Sequence, residues 1–213
     1  MSARVLCCGW LCGLLLLTVA SKARAEDLGD PFYFFTDVGA ALFANSKLKS
    51  SDASSGSGTF NIDPGLSLDV GFGCRFADHL AAEFETGLIG ATARGPVNEF
   101  GTVQDYDLLE VPILAKLVYE IPTRSRFRPY LGVGLGAVGI ELDQADFFFG
   151  SSDSNFGLAW EATAGCRYQI TSGLELGVVY KYLGTSNRQF DALNLEMKGT
   201  QAHRVAVALK LRF

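Results

Sequence analysis

From Pro31 onward the chain alternates apolar and polar residues with period two, in one segment of about ten residues after another, as two-faced β-strands require. The pattern is cleanest in residues 66–76, where Leu66, Leu68, Val70, Phe72, Cys74 and Phe76 share one face and Ser67, Asp69, Gly71, Gly73 and Arg75 the other. Residues 80–88 set Leu80, Ala82, Phe84, Thr86 and Leu88 against Ala81, Glu83, Glu85 and Gly87. Residues 156–170 set Phe156, Leu158, Trp160, Ala162, Ala164, Cys166, Tyr168 and Ile170 against Gly157, Glu161, Thr163, Gly165, Arg167 and Gln169. The final ten residues, 204–213, set Val205, Val207, Leu209, Leu211 and Phe213 against Arg204, Ala206, Ala208, Lys210 and Arg212. Residues 32–43, 108–121, 130–140 and 174–182 carry a noisier version in the same phase, which makes eight segments. No helix presents faces of this kind.

The connections alternate as well. Residues 45–63, 90–105, 143–155 and 184–201 are long and rich in Ser, Gly, Asp and Asn, whereas those around 78–79, 122–128 and 171–173 are short. Strands of about ten residues, even in number, with short turns at one end and long loops at the other, predict an all-β fold: an eight-stranded antiparallel up-and-down transmembrane barrel. Its edges are closed by pairing within the molecule. Both termini and the short turns are expected in the periplasm, the long loops outside.

Alternation alone does not say which face points outward, because a soluble barrel would turn its apolar face inward. The polar face decides it. That face mixes Gly and Ala with a few long charged side chains, as a narrow eight-stranded interior demands, and a water-facing surface has little use for so many glycines. The apolar face is a Leu/Val/Phe/Ala band, with Tyr33, Tyr119, Trp160, Tyr168 and Tyr182 near strand ends as an interfacial girdle.

Composition agrees with one domain of 213 residues, 48% hydrophobic and with 24 glycines. The start belongs to export rather than to the fold: Arg4, an apolar run over residues 5–20 and Ala23-Arg24-Ala25 read as a cleavable secretory signal over residues 1–25, leaving 26–213 as the barrel. The run is short for a membrane-spanning helix, which needs about 20 residues. Losing Arg4, Lys22 and Arg24 takes the formal charge from −5 to about −8, which excludes nucleic acid as an expected partner. Cys74 and Cys166 remain after cleavage, and their places on the second and sixth strands put them on opposite sides of the barrel, beyond disulfide reach.

Three stretches carry a family resemblance: VPILAKLVYEIP at 111–122, RPYLGVGLGA at 128–137 and the terminal LKLRF. They resemble the small outer-membrane β-barrel family of the OmpA/OmpX transmembrane-domain type. The resemblance implies residence in the bacterial outer membrane and surroundings of outer-membrane lipid and lipopolysaccharide. Leu209, Leu211 and Phe213 resemble the C-terminal signal by which such barrels are handed to their assembly machinery. No peptidoglycan-binding segment follows the barrel, so cell-wall anchoring is not expected.

Opposed charges on the lumen face are the main candidate chemistry. Buried ions persist only when paired, so Glu83, Glu85, Glu110 and Glu161 are expected to meet Lys116, Arg167, Lys181, Arg204 and Lys210 in one network. Gly134, Gly136 and Gly139 spell a dinucleotide fingerprint but continue a strand, and their expected role is to make room for long lumen side chains. His203, near the outer end of the last strand, and Ser186 are the thin basis for a lipid-modifying enzyme. No spacing suggests a metal or cofactor. Phe147, Phe148 and Phe149 are candidates for recognition by an outer loop, and Lys47, Lys49, Arg94 and Arg188 for contact with lipopolysaccharide phosphates. The expected function is structural or surface interaction through the outer loops, without catalysis and with a lumen plugged by charged side chains. A small gated channel is the alternative and an enzyme the third reading.

Overall fold

The structure, a computed structural model, describes residues 31–44, 46–50, 58–94, 105–144, 152–190, 195–197 and 199–213. Eight strands form the wall: β1 (Phe32–Phe43), β4 (Gly65–Ala77), β5 (Leu80–Arg94), β6 (Asp105–Glu120), β7 (Phe127–Gln144), β8 (Ser152–Gln169), β9 (Leu174–Thr185) and β12 (Gln201–Arg212). Four short strands, β2 (Ser46–Ser50), β3 (Gly58–Ile62), β10 (Arg188–Phe190) and β11 (Leu195–Met197), lie in the long connections. Each wall strand pairs antiparallel with its neighbours, and β1 closes the circle on β12, from Tyr33 opposite Arg212 to Phe43 opposite Ala202. The terminal strand's edge is thus paired internally.

The turns at one end are tight. Ala77 pairs with Leu80 across Asp78-His79, and a bulge between Arg75 and Ala77 adjusts the register just before that turn. At the turn between β8 and β9, the Leu174 N–H donates to Thr171 Oγ1 at 3.1 Å. One ladder is interrupted: β5 and β6 pair up to Thr86 opposite Ile113 and resume at Ile89 opposite Glu110, with Pro112, which has no N–H to give, in the gap.

The alternation sets the faces as expected. Leu66, Leu68, Val70, Leu88, Leu135, Leu158, Val178, Val205 and Val207 are 43–75% exposed and form an apolar belt around the outside. Soluble monomers do not expose apolar surface on this scale, whereas a lipid-facing wall must. Tyr119 and Tyr168 point outward near strand ends, as a girdle requires, and Trp160 points outward from the middle of β8. Tyr33 does not. It is 1% exposed inside the lumen, in phase with Asp37 rather than with Phe34, because a ring in the interior can fill space and give its hydroxyl to a buried carboxylate.

The interior also departs from a purely small-and-charged expectation. Towards the long-loop end, Ile89, Leu108, Leu114, Val138, Ile140 and Leu183 pack with Ala41, Ala159 and Ala202 into an apolar layer, and Ile62 of β3 joins it. The long connections are not all loop. β2 pairs with β3 and with β11, β11 pairs with β10, and β3 joins β5 at Ile62 opposite Ala93, so the first and last long connections build one outer sheet together.

The phase is testable by placing a charge in the lipid belt. Val207→Arg, at the middle of β12, should cost about 2–4 kcal/mol, and Leu42→Arg, near the end of β1, about 0–1 kcal/mol. Urea unfolding of the refolded chain in lipid vesicles reads both, and equal costs would contradict the assigned depth.

Candidate functional site in the lumen and at the outer end

Seven of the eight wall strands send a charged side chain to the centre of the lumen. They are Asp37 on β1, Asp69 on β4, Glu83 and Glu85 on β5, Lys116 on β6, Glu161 on β8, Lys181 on β9 and Arg204 on β12, all at most 7% exposed. Lys181 Nζ reaches three carboxylates: Asp37 Oδ2 at 2.6 Å, Asp69 Oδ2 at 2.9 Å and Glu85 Oε2 at 2.9 Å. Arg204 Nη1 donates to both oxygens of Asp69 at 2.8 Å, and its Nη2 to Glu161. Lys116 contacts Glu85, with Glu161 at 3.4 Å and Glu83 at 3.5 Å. Thr163 Oγ1 donates to Glu161 at 2.9 Å and the Tyr33 hydroxyl to Glu83 at 2.8 Å.

Strand register explains why these groups need one another. Asp37 and Asp69 are direct cross-strand partners, as are Lys181 and Arg204. Like charges opposite each other are destabilising, so each pair is tolerated only because the other neutralises it. β7 contributes space instead of charge to this cluster: a Cβ on Gly134 would crowd the Lys116 stem at 2.7 Å. This is the role expected for the glycines of that strand, which runs without a turn through the fingerprint-like spacing.

The nine charged residues expected to form one network fall into separate groups. Glu83, Glu85, Lys116, Glu161, Lys181 and Arg204 come together, joined by Asp37 and Asp69. Arg167 and Lys210 instead sit at the short-turn end with Glu120 and Glu175. Glu110 lies elsewhere, where the Thr200 hydroxyl donates to its Oε1 at 2.7 Å. The split arises because Arg167 and Lys210 stand close to the short-turn ends of β8 and β12, and Glu110 towards the opposite end of β6.

Tyr33, Phe35 and Tyr130 connect the two charged groups. Lys210 Nζ lies 3.6 Å from the Tyr33 ring centre, Arg167 3.8 Å from that of Tyr130, and Lys116 5.2 Å from that of Phe35. Glycine is needed beside these rings, since a Cβ on Gly73 would come within 2.2 Å of the Tyr33 ring and one on Gly165 within 2.5 Å of the Tyr130 ring. The cavity left among them is ≈ 10 Å³, room for about one water.

On the outer face, His203 Nδ1 is 2.7 Å from the Tyr180 hydroxyl, and its ring is 5.0 Å from that of Tyr182, which packs on Trp160 at 5.0 Å. Ser186 Oγ accepts the Leu158 N–H at 3.2 Å. Leu211 and Phe213 face outward, 48% and 56% exposed, with Phe213 stacked on Phe34, while Leu209 is half-buried. Cys74 on β4 and Cys166 on β8 are free thiols. Phe147, Phe148 and Phe149 lie outside the described residues. Of Lys47, Lys49, Arg94 and Arg188, only the backbone is described, in β2, β5 and β10.

Lys181→Met would leave Asp37, Asp69 and Glu85 short of their shared cation and should destabilise the barrel by about 3–5 kcal/mol. Adding Asp37→Asn should restore about 1 kcal/mol or more, because the two residues are directly coupled. The two steps are read by urea unfolding in lipid vesicles; a double variant no more stable than Lys181→Met would dissociate Asp37 from the cluster.

This architecture has known counterparts. Neisserial surface protein A has a solved structure with a TM-score of 0.57 and 19% identity, over 85% of this chain and 97% of that one. OprG from Pseudomonas aeruginosa gives a TM-score of 0.53 and 17% identity, over 87% and 98%. A protein of Rickettsia bellii (strain OSU 85-389) that bears the name “Putative adhesin” is 25% identical over 228 aligned residues, covering 91% of this chain and 93% of its own. In a barrel of the bacterial outer membrane the short-turn end faces the periplasm and the long loops face outward. The family model for the outer membrane protein beta-barrel domain matches residues 11–213, and the chain belongs to that family of the bacterial outer membrane.

Proposed function

We propose that this barrel is a surface-interaction protein: the wall and its filled lumen hold a rigid platform, and the outer strands and loops contact a partner outside the cell. The observation that carries this reading is the contrast between the two parts. The lumen is filled with ion pairs and rings around a cavity of ≈ 10 Å³ and, towards the outer end, with an apolar layer. Outside it, β2, β3, β10 and β11 bring the first and last long connections into one sheet. Recognition is commonly carried by loops on a rigid scaffold. The adhesin name of the Rickettsia bellii relative supports the same reading.

The lumen charges then serve structure rather than transport. A non-catalytic role is supported at the outer rim, where the Tyr180 hydroxyl engages His203 and the Leu158 N–H engages Ser186. Outer-membrane lipid and lipopolysaccharide are the surroundings of the apolar belt. Leu209, Leu211 and Phe213 would present the final strand to the assembly machinery, and Phe147, Phe148 and Phe149 would supply aromatic contacts to the partner.

Two measurements test this. Refolded chain with heat-modifiable gel mobility should be electrically silent in planar bilayers; discrete, reproducible openings would favour the small-channel reading. Display of the chain on a non-adherent bacterium should raise attachment to cultured animal cells. Replacing residues 51–57 and 191–194 by short Gly-Ser links should lower that attachment several-fold without changing heat modifiability. Attachment indifferent to those replacements would count against the segments that join β2 to β3 and β10 to β11 as the contact.

A further inference from the structure

The periplasmic end of the lumen holds more cations than carboxylates. Glu120 is shared by Lys210 at 2.7 Å, Arg75 at 3.5 Å, Arg167 at 3.7 Å and Arg212 at 3.8 Å. Glu175 is shared by Arg212, which contacts it, by Arg128 at 3.5 Å and by Arg167 at 3.9 Å. Five cations therefore meet two carboxylates among the described residues, and most of these pairs are too long to be hydrogen bonds. Arg128 Nη2 donates to Gln169 Oε1 at 2.8 Å. Nη2 of Arg75, Nε of Arg128, and both Nε and Nη2 of Arg167 and Arg212 are buried without a well-aligned hydrogen bond among the described residues, as are both oxygens of Glu175, so the two carboxylates are shared as ion pairs and do not saturate the guanidiniums.

The group is graded in exposure from the lumen to the mouth. Arg167, Lys210 and Glu175 lie at its inner end with side chains at most 4% exposed, beneath the rings of Tyr130 and Tyr33. Arg75, Arg212 and Arg128 form its rim, with side-chain exposures of 13%, 9% and 31%. The carboxylate-rich centre, with five carboxylates to three cations, offsets this excess only in part, and buried positive charge is costly unless a counter-charge is supplied. The partly exposed groups at the rim are guanidiniums, whose planar fork matches the oxygens of a phosphate.

We propose that the periplasmic mouth is an oxyanion site for a phosphate group, held by Arg75, Arg128 and Arg212 at the rim with Arg167 and Lys210 adding positive charge from below. The phosphate belongs either to a soluble periplasmic anion or to the headgroup of an inner-leaflet phospholipid. The site is independent of what the outer loops bind, and it faces the opposite compartment.

The test uses refolded full chain in nanodiscs of zwitterionic lipid, titrated with inorganic phosphate against chloride at constant ionic strength and followed by the amide NMR shifts of Arg128, Gln169 and Arg212. Saturable shifts are expected. Arg75→Gln and Arg212→Gln should each weaken binding about tenfold while keeping heat-modifiable mobility, and Arg212→Lys should restore part of it. Arg124→Gln, an exposed arginine in the same end's β6–β7 turn and outside the cluster, should leave binding unchanged. Shifts that do not saturate, or that are equal in Arg75→Gln, Arg212→Gln and the parent chain, would overturn the site. With the site established, a loss of phosphate affinity in nanodiscs containing phosphatidylglycerol identifies the lipid headgroup as occupant; unchanged affinity identifies the soluble anion.

Discussion

The rest of the structure depends on matching charges that cannot reach water. The centre of the lumen brings Asp37, Asp69, Glu83, Glu85 and Glu161 against Lys116, Lys181 and Arg204, from seven strands. None is tolerable alone in a narrow low-dielectric interior. Because the side-chain period of a strand is two, a slip of one residue in any of these strands would send its charge into lipid and its apolar face into the ion cluster. The cluster therefore specifies register as well as filling space. The Asp37–Asp69 and Lys181–Arg204 neighbours make the dependence mutual, since each like-charged pair is held by its opposite.

Space for long charged side chains is supplied by the strands and positions that carry none. Gly134 on β7 leaves room for the Lys116 stem, and Gly73 and Gly165 leave room for the rings of Tyr33 and Tyr130. Those rings cover the cations at the periplasmic end, so the interior is layered along its axis. The periplasmic mouth is rich in cations, the centre rich in carboxylates, and the outer end apolar. An interior of this kind is a frame. The outer sheet of β2, β3, β10 and β11 lies beyond that apolar end, joined to the wall through β3 and β5.

Much of this was legible before any coordinates. Alternation placed Val70, Phe72, Leu158, Val178 and Val207 on the lipid side and Glu85, Glu161, Lys181 and Arg204 inside, and the structure agrees at each. Where the reading failed, it followed residue type instead of phase. Tyr33 was grouped with the girdle because it is aromatic and near a strand end, although its position in the alternation is that of Asp37. Leu108, Leu114 and Leu183 lie on the inner face by the same rule, although an apolar residue there does not stand out as a lumen residue by type. Glu120 and Glu175, the carboxylates of the periplasmic mouth, were also in phase and were missed as members of the site.

The chain by itself determined the eight strands, their faces and the set of residues available to the lumen, because these follow from a local period and from the size of an eight-stranded interior. The partners were decided only by the closed tertiary structure. Lys181 and Asp69 are 112 residues apart, and Arg204 and Asp69 are 135 apart. Their meeting depends on how every intervening strand is staggered around the barrel. The same holds for the outer sheet, whose three- to five-residue strands have too few positions to show a period and whose two halves, β2–β3 and β10–β11, meet through the pairing of β2 with β11.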